Sequence, residues 1–325
     1  MNFLTLVSRS KKRKERHETP ASSGEASWAQ RDEDSTPIQK GQNHGVRLLH
    51  QPSVPTNTLV DIVFVHGLTG NAYSTWYNEQ HALHWPSKLL KDDIPEARIF
   101  TFGYDADVAS FWGGASQNRL ANHAENMLGD LAGEGEETVS KDDRSIIFVV
   151  HSLGGLVTEK ALQLSENNAE THLRQIEACT IGILFLGTPH SGSGFAPFAK
   201  SVAQALKIAG KRVNTDILDA LKQDSQTLLD VEDWFGHWLR RRSEKGKAVD
   251  ITSLLEEKEL PIVGKVVTEA STRIFGYPMY GINENHMNMT KFTSAKDPGY
   301  KTVTRELRRW IKKLQDQKGR DRAIH

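Results

Sequence analysis

The chain has one cysteine in 325 residues, Cys179. An intrachain disulfide is therefore impossible, and nothing marks the protein for an oxidising compartment. Long hydrophobic runs are missing as well: no apolar stretch reaches the roughly 18 residues that a membrane-spanning helix needs. An excess of charge of one sign is also lacking, since 41 basic side chains face 41 acidic ones. A chain with no net charge has no broad field for gathering phosphates, and no nucleic-acid-binding signature accompanies it. There is no G-x-x-x-x-G-K-[ST] phosphate loop and no repeat with a period of 20 to 50 residues. The thirteen histidines form no compact ligand spacing with cysteine or carboxylate, so neither a metal nor any other cofactor is expected. These absences leave a cytoplasmic protein acting on a small molecule, with no nucleic-acid partner and at most peripheral membrane contact. The oligomeric state stays open.

The first 55 residues are rich in Ser, Thr, Gln, Glu, Lys and Arg with little apolar periodicity, and are expected to form a disordered tail. Within them Lys11-Lys12-Arg13-Lys14 reads as a solvated basic run. Residues 56–316 alternate buried-strand patterns with helical ones, which favours one α/β core with a mostly parallel sheet. Residues 317–325 read as a C-terminal tail.

What is present begins at Ile146–Gly155, IIFVVHSLGG. Five apolar residues end at a small polar residue followed by two glycines, the pattern of a strand turning sharply into a helix near Leu156. Such a turn lifts the Ser152 hydroxyl above the sheet, where it can attack a carbonyl. A bulky side chain at Gly154 or Gly155 would hold the helix off the strand. The G-x-S-x-G pattern is incomplete, because Val150 occupies its first glycine position.

A second buried-strand pattern, Leu59–Val65, ends in His66-Gly67-Leu68-Thr69-Gly70. Acyl transfer builds negative charge on the carbonyl oxygen, and preorganised peptide N–H groups stabilise it by roughly 3 kcal/mol each. The donors expected for such an oxyanion hole are Leu153, just after the serine, and Leu68 in the earlier loop. His66 precedes the serine and is read as structural.

After the elbow come strand patterns at Thr180–Leu186, Val249–Leu255 and Gly264–Val267. Counting the elbow strand as the fifth, the acid is expected after the seventh and the histidine after the eighth. That points to Glu256 or Glu257, with Glu256 preferred and Glu269 also open, and to His286 in the polar turn Asn283–His286. A neutral imidazole must take the serine proton as attack occurs, and a carboxylate must fix that imidazole's tautomer.

The segments VDIVFVHGLTGNAYSTW, ARIFTFGYDAD, IIFVVHSLGGLVTEKAL, IGILFLGTPHSGSG, NTDILDALKQDSQTLLDVEDWF, ITSLLEE and NENHMNMTKF, spread over roughly residues 58–315, resemble the fungal branch of the lipase-like serine esterases. These are related to the serine-active-site-containing proteins and, more distantly, to the glycosylphosphatidylinositol inositol-deacylases. The resemblance implies an α/β-hydrolase fold, with Ser152 as nucleophile, His286 as base and Glu256 as acid. It also implies a carboxylic ester substrate, lipid or secondary-metabolite-like. Val150 is the departure, since relatives usually carry glycine there. The alternatives are an acyltransferase or thioesterase using the same triad, and a non-catalytic or signalling module that keeps the fold for protein contacts.

An insertion over about 194–247 is expected to form a helical cap, with apolar residues at helical spacing in 196–209 and 217–229. Trp234, Phe235 and Trp238 follow, either as an apolar wall for an acyl chain or as core between cap and body. Thr188–Ser193 is expected to be a turn at the site rim, with His190 too early in the chain to be the base. Asp105, after the fourth strand, is a minor alternative acid.

Overall fold

A computed structural model describes residues 44–54, 58–68, 70–106, 119–138, 144–190, 192–208 and 216–324. The chain divides into Met1–Gln39, which lies outside those residues together with the basic run 11–14, and the compact unit Lys40–His325.

In chain order the elements are β1 (Gly45–His50), β2 (Val60–Val65), the short pair β3 (Tyr77–Asn78) and β4 (Leu83–His84), α1 (Lys91–Asp93) and β5 (Ala97–Gly103). Next come α2 (Arg119–Thr138), β6 (Ser145–His151), α3 (Leu153–Glu166), α4 (Thr171–Cys179) and β7 (Thr180–Leu186). The chain ends with α5 (Gly192–Ile208), α6 (Asp216–Glu244), β8 (Asp250–Glu256), α7 (Glu269–Thr272), β9 (Met279–Ile282) and α8 (Pro298–Ile324).

Seven strands make one sheet in the order β1-β5-β2-β6-β7-β8-β9, with β1 antiparallel to its neighbour and the rest parallel. Parallel strands are covered on both faces by their crossovers, which is why β2, β6 and β7 read as nearly unbroken apolar runs. Alternation along each strand feeds two cores. Val63, Val65, Phe148, Val150, Ile183 and Phe185 pack against α2, α3 and α6. Ile62, Phe64, Ile147, Val149, Leu184 and Leu186 pack against Trp76, Trp85 and the inner side of α8, where Tyr300, Leu307 and Trp310 lie. The result is the α/β-hydrolase fold. No helix among the described residues is long and apolar enough to cross a membrane.

Five boundaries differ from the sequence reading. Residues 45–50, placed in the tail, form an edge strand whose residues are only half-buried, so its apolar signal was weak. Gly264–Val267 is not a strand: the peptide N–H groups of Val266 and Val267 point at a carboxylate instead of a neighbouring strand. The eighth strand is β9, a four-residue edge strand with exposed Tyr280 and Gly281, too short and too wet to show a pattern. Residues 317–324 are helix, the continuation of α8. The stretch read as a cap, 194–247, contains most of α5 and α6, and α6 is longer than the predicted 217–229.

Candidate active site

β6 delivers Ser152 on a turn that the local sequence makes possible. Ser152 has φ 53° and ψ −124°, a conformation that few non-glycine residues adopt. It is held there from both sides: its N–H donates to the Leu186 carbonyl (2.9 Å), and its carbonyl accepts from the Thr188 hydroxyl (3.0 Å). α3 begins immediately afterwards at Leu153, three residues earlier than the sequence suggested. Glycine is required at both following positions. A methyl on Gly154 would lie 2.4 Å from the His66 carbonyl oxygen, and one on Gly155 would lie 2.4 Å from the Thr188 side chain. Val150, by contrast, is fully buried in the helix-side core, so the valine fills space there and leaves the turn intact.

The loop after β2 runs against this turn. A methyl on Gly67 would come within 2.6 Å of Ser152 Cβ. Leu68 is buried in that loop, while Thr69 lies outside the described residues. His66 anchors the loop: its Nδ1 donates to the Gly67 carbonyl (2.9 Å), and its Nε2 accepts from the Tyr104 N–H (3.2 Å). Its ring stacks on Tyr104 at 4.4 Å, and the Tyr104 hydroxyl returns a bond to the His66 carbonyl (2.9 Å). Burial drives the His66 pKa down to about 4, so the imidazole is neutral and its tautomer is set by these bonds.

His286 follows β9 in the turn after Asn283, Glu284 and Asn285. Its Nε2 is 3.1 Å from Ser152 Oγ, and its Nδ1 is 2.9 Å from Glu256 Oε2. Ser152, His286 and Glu256 are 2 %, 3 % and 0 % exposed, so the relay is shielded from water. Glu256 Oε1 accepts from the N–H groups of Val266 (2.7 Å) and Val267 (3.0 Å). Burial alone would raise the Glu256 pKa. The His286 hydrogen bond and charge, with the two peptide donors, outweigh it and hold the carboxyl below the ordinary value.

The other proposed acids stand elsewhere. Glu257 is exposed next to Glu256, and Glu269 is an exposed partner of Arg273 at the start of α7. Asp105 follows β5, with β2, β6 and β7 between that strand and β8. Trp234 and Trp238 donate through their indole N–H groups to Glu166 and Glu177. They therefore belong to the packing of α6 on α3 and α4. Phe198 of α5 is buried edge-on to His286, with ring centroids 6.2 Å apart.

Two contributions escaped the sequence reading. Thr188, taken for a rim turn, holds the elbow from behind. His190 from the same loop is buried beside Glu159 of α3, Nδ1 to Oε1 2.8 Å, and its N–H donates to the Ser271 carbonyl. No described group of three or more His, Cys, Asp or Glu side chains could hold a metal.

Residues 58–204 match the family described as "Putative serine esterase (DUF676)". Over that stretch the chain is similar to the lipase-like serine esterases. Among curated proteins it is similar to Protein SERAC1 of Danio rerio, 30% identical over 197 residues, which is 53% of this chain and 28% of that protein. The Homo sapiens Protein SERAC1 is 27% identical over 192 residues, 53% of this chain and 28% of that protein. The chain thus spans less than a third of the length of these relatives. Solved structures similar to it include the mature lipase BlEst2 of Bacillus licheniformis, with TM-score 0.47, 18% identity, and coverage of 81% of this chain and 99% of that one. Esterase B from Lactobacillus rhamnosis gives TM-score 0.44 and 11% identity, covering 90% of this chain and 92% of that one.

Proposed function

We propose that this chain hydrolyses carboxylic esters through an acyl-enzyme on Ser152, with His286 as base and Glu256 as acid. One observation carries this: a single buried imidazole reaches a serine hydroxyl through Nε2 and a carboxylate through Nδ1, at hydrogen-bond distance on both sides. Ser152 Oγ attacks the ester carbonyl carbon as its proton passes to His286 Nε2. The carbonyl π pair moves onto oxygen, and the resulting oxyanion accepts from the N–H groups of Leu68 and Leu153. Leu153 suits this role because, as the first residue of α3, its N–H has no intrahelical acceptor. The tetrahedral species collapses, the C–O bond to the leaving group breaks, and the His286 proton goes to the departing alkoxide. Water then gives a proton to His286 and its oxygen to the acyl carbon. The second collapse returns that proton to Ser152 Oγ and releases the acid.

The ionised Glu256 stabilises the imidazolium formed in each half-reaction. The substrate we propose is an apolar ester, lipid or secondary-metabolite-like. Phe198 beside His286 and the resemblance support that class, and the two indoles committed to α3 and α4 do not contribute to it. The same relay could pass the acyl group to an alcohol in place of water.

The test is labelling of the purified protein by a fluorophosphonate, with turnover of p-nitrophenyl esters of short and long acyl chain. Labelling that disappears in Ser152→Ala, together with turnover, is the expected result. A folded wild type that neither labels nor hydrolyses any ester would leave the fold as a binding module.

A further inference from the structure

We infer that His151, the residue before the nucleophile, is a positioning residue for His286, tying the histidine loop to the elbow strand through a side-chain hydrogen bond to the His286 backbone. The inference rests on the triad reading above for its kinetic consequence, and on geometry alone for the tether itself.

His151 ends β6, and strand alternation sends its side chain to the face opposite Val150. That face is covered by the segment carrying Met289 and Phe292, which begins at His286. His151 Nε2 lies 3.1 Å from the His286 carbonyl oxygen, and the rings sit 5.0 Å apart at 40°. A carbonyl only accepts, so Nε2 carries the proton and the tautomer of His151 is fixed. The other edge of the ring abuts the oxyanion loop: a methyl on Gly67 would lie 2.9 Å from His151 Nδ1. One buried imidazole therefore fills the gap between the nucleophile turn, the Gly67 loop and the His286 loop.

The segment around His286 is also anchored at its flanks: the Lys258 N–H donates to the Glu284 carbonyl (3.2 Å), the Thr290 hydroxyl donates to the Thr75 carbonyl (2.6 Å), and the Trp85 indole N–H donates to the Thr290 carbonyl (2.8 Å). Asn285 Oδ1 accepts from the N–H groups of Met287 (3.1 Å) and Asn288 (3.2 Å), and Met287 itself is exposed. The Asn285 bonds shape the turn and the flanking anchors reach other elements, while the His151 bond ties the backbone of His286 itself to β6. The donor also suits a reaction cycle. Burial, and then the nearby His286, hold the His151 pKa well below the ordinary histidine value. An imidazolium forming on His286 disfavours a second charge beside it, so His151 stays a neutral donor while its neighbour gains and loses a proton.

A displacement near 1 Å at a reacting group costs on the order of 100-fold in rate. In His151→Phe, which keeps the volume and loses the donor, kcat should fall roughly 10- to 100-fold with KM within about twofold. His151→Gln, whose amide N–H can reach the same carbonyl, should recover most of that loss. Amide hydrogen exchange over residues 283–292 reads the tether without any turnover: it should quicken in His151→Phe and return toward wild type in His151→Gln. If His151→Phe does not fold, His151→Ala serves the same comparison. Unchanged exchange in a folded donor-less variant, or Gln and Phe variants equally impaired, would overturn the inference. A wild type that fails to label with fluorophosphonate would instead remove the triad reading, leaving the exchange result to decide the tether.

Discussion

Gly154 and the carbonyl of His66 stand so close that a methyl on the glycine would sit 2.4 Å from that oxygen and 2.7 Å from the Val65 carbonyl. Both contacts are to backbone of β2 and its loop, which cannot swing aside as a side chain can. Gly154→Ala is therefore expected to push α3 away from the elbow and to abolish fluorophosphonate labelling. Val150 stands in the opposite situation, since its side chain is core and not turn. Restoring the missing glycine of the motif, Val150→Gly, should cost about 3 kcal/mol from the lost side-chain volume and should not raise activity. Urea denaturation and labelling of the two variants check both outcomes. A Val150→Gly variant more active than wild type would show that the valine impairs the turn.

Glu256 holds two peptide N–H groups on one oxygen and His286 on the other. A glutamine could keep its carbonyl oxygen on Val266 and Val267, but it would then turn an NH2 toward His286 Nδ1. The imidazole would have to flip its tautomer, leaving a proton on the nitrogen that should receive the one from Ser152. Glu256→Gln is expected to lower kcat by about four orders of magnitude with little change in KM. Glu257→Gln and Glu269→Gln should stay within about twofold of wild type, because those side chains are exposed and outside the relay. Steady-state assays of the three variants on one p-nitrophenyl ester decide the matter. Comparable losses from Glu257→Gln would move the acid.

The elbow and the central strands were legible because they are short-range signals: an apolar run, then a small residue, then glycines. Ser152, Glu256 and His286 were expected from chain order, although one strand in that count was misplaced. The segment before His286 does hold a strand, Met279–Ile282 in place of Gly264–Val267. What stayed hidden depends on partners far away in sequence. The Thr188 hydroxyl on the Ser152 carbonyl spans 36 residues, and the His151 bond to the His286 carbonyl spans 135. Neither side chain has any local pattern that distinguishes it from a rim or core residue. Edge strand β1 was missed for a different reason, since a half-exposed strand needs no apolar alternation.

Buried neutral histidines make the fold sensitive to acid. Burial lowers His66 to about 4 and His84 to about 3, and holds His151 well below the ordinary value. Below pH 6.5 an unfolded histidine takes up a proton that these folded ones refuse, so the native state binds fewer protons and stability falls with falling pH. The loss runs at about 1.4 kcal/mol per pH unit for each such group, from about pH 6.5 down to its folded value. His84 offers a clean test. It stacks on Tyr73 at 4.4 Å, and its Nε2 has no hydrogen-bond partner among the described residues. His84→Phe should keep the stack and flatten the decline between pH 6 and 4 by the share of one histidine. Urea midpoints at several pH values measure it, and an unchanged slope would mean that His84 is not held neutral.

Glu159 should have the opposite dependence on pH. It is buried in α3, where burial raises its pKa, the His190 charge and hydrogen bond pull it back, and Glu232 raises it again. The approach to His190 is close, 2.8 Å, yet burial outweighs what it gives back. A carboxyl whose folded pKa lies above its unfolded value binds a proton more tightly in the native state. Stability is then highest below the unfolded value of 4.5, declines as pH rises through the folded pKa, and stays lower beyond it. Replacing the group by an uncharged isostere removes that decline. Glu159→Gln is thus expected to melt at a higher temperature than wild type at pH 7 to 8, and the gap should close near pH 4. Activity should change by less than about threefold, since the pair lies outside the relay that connects Ser152, His286 and Glu256. A variant less stable than wild type at neutral pH but equal to it in acid would instead mean that Glu159 and His190 form a fully ionised, net-stabilising pair. The loop that begins at Thr188 would then depend on that charge for its hold on the elbow.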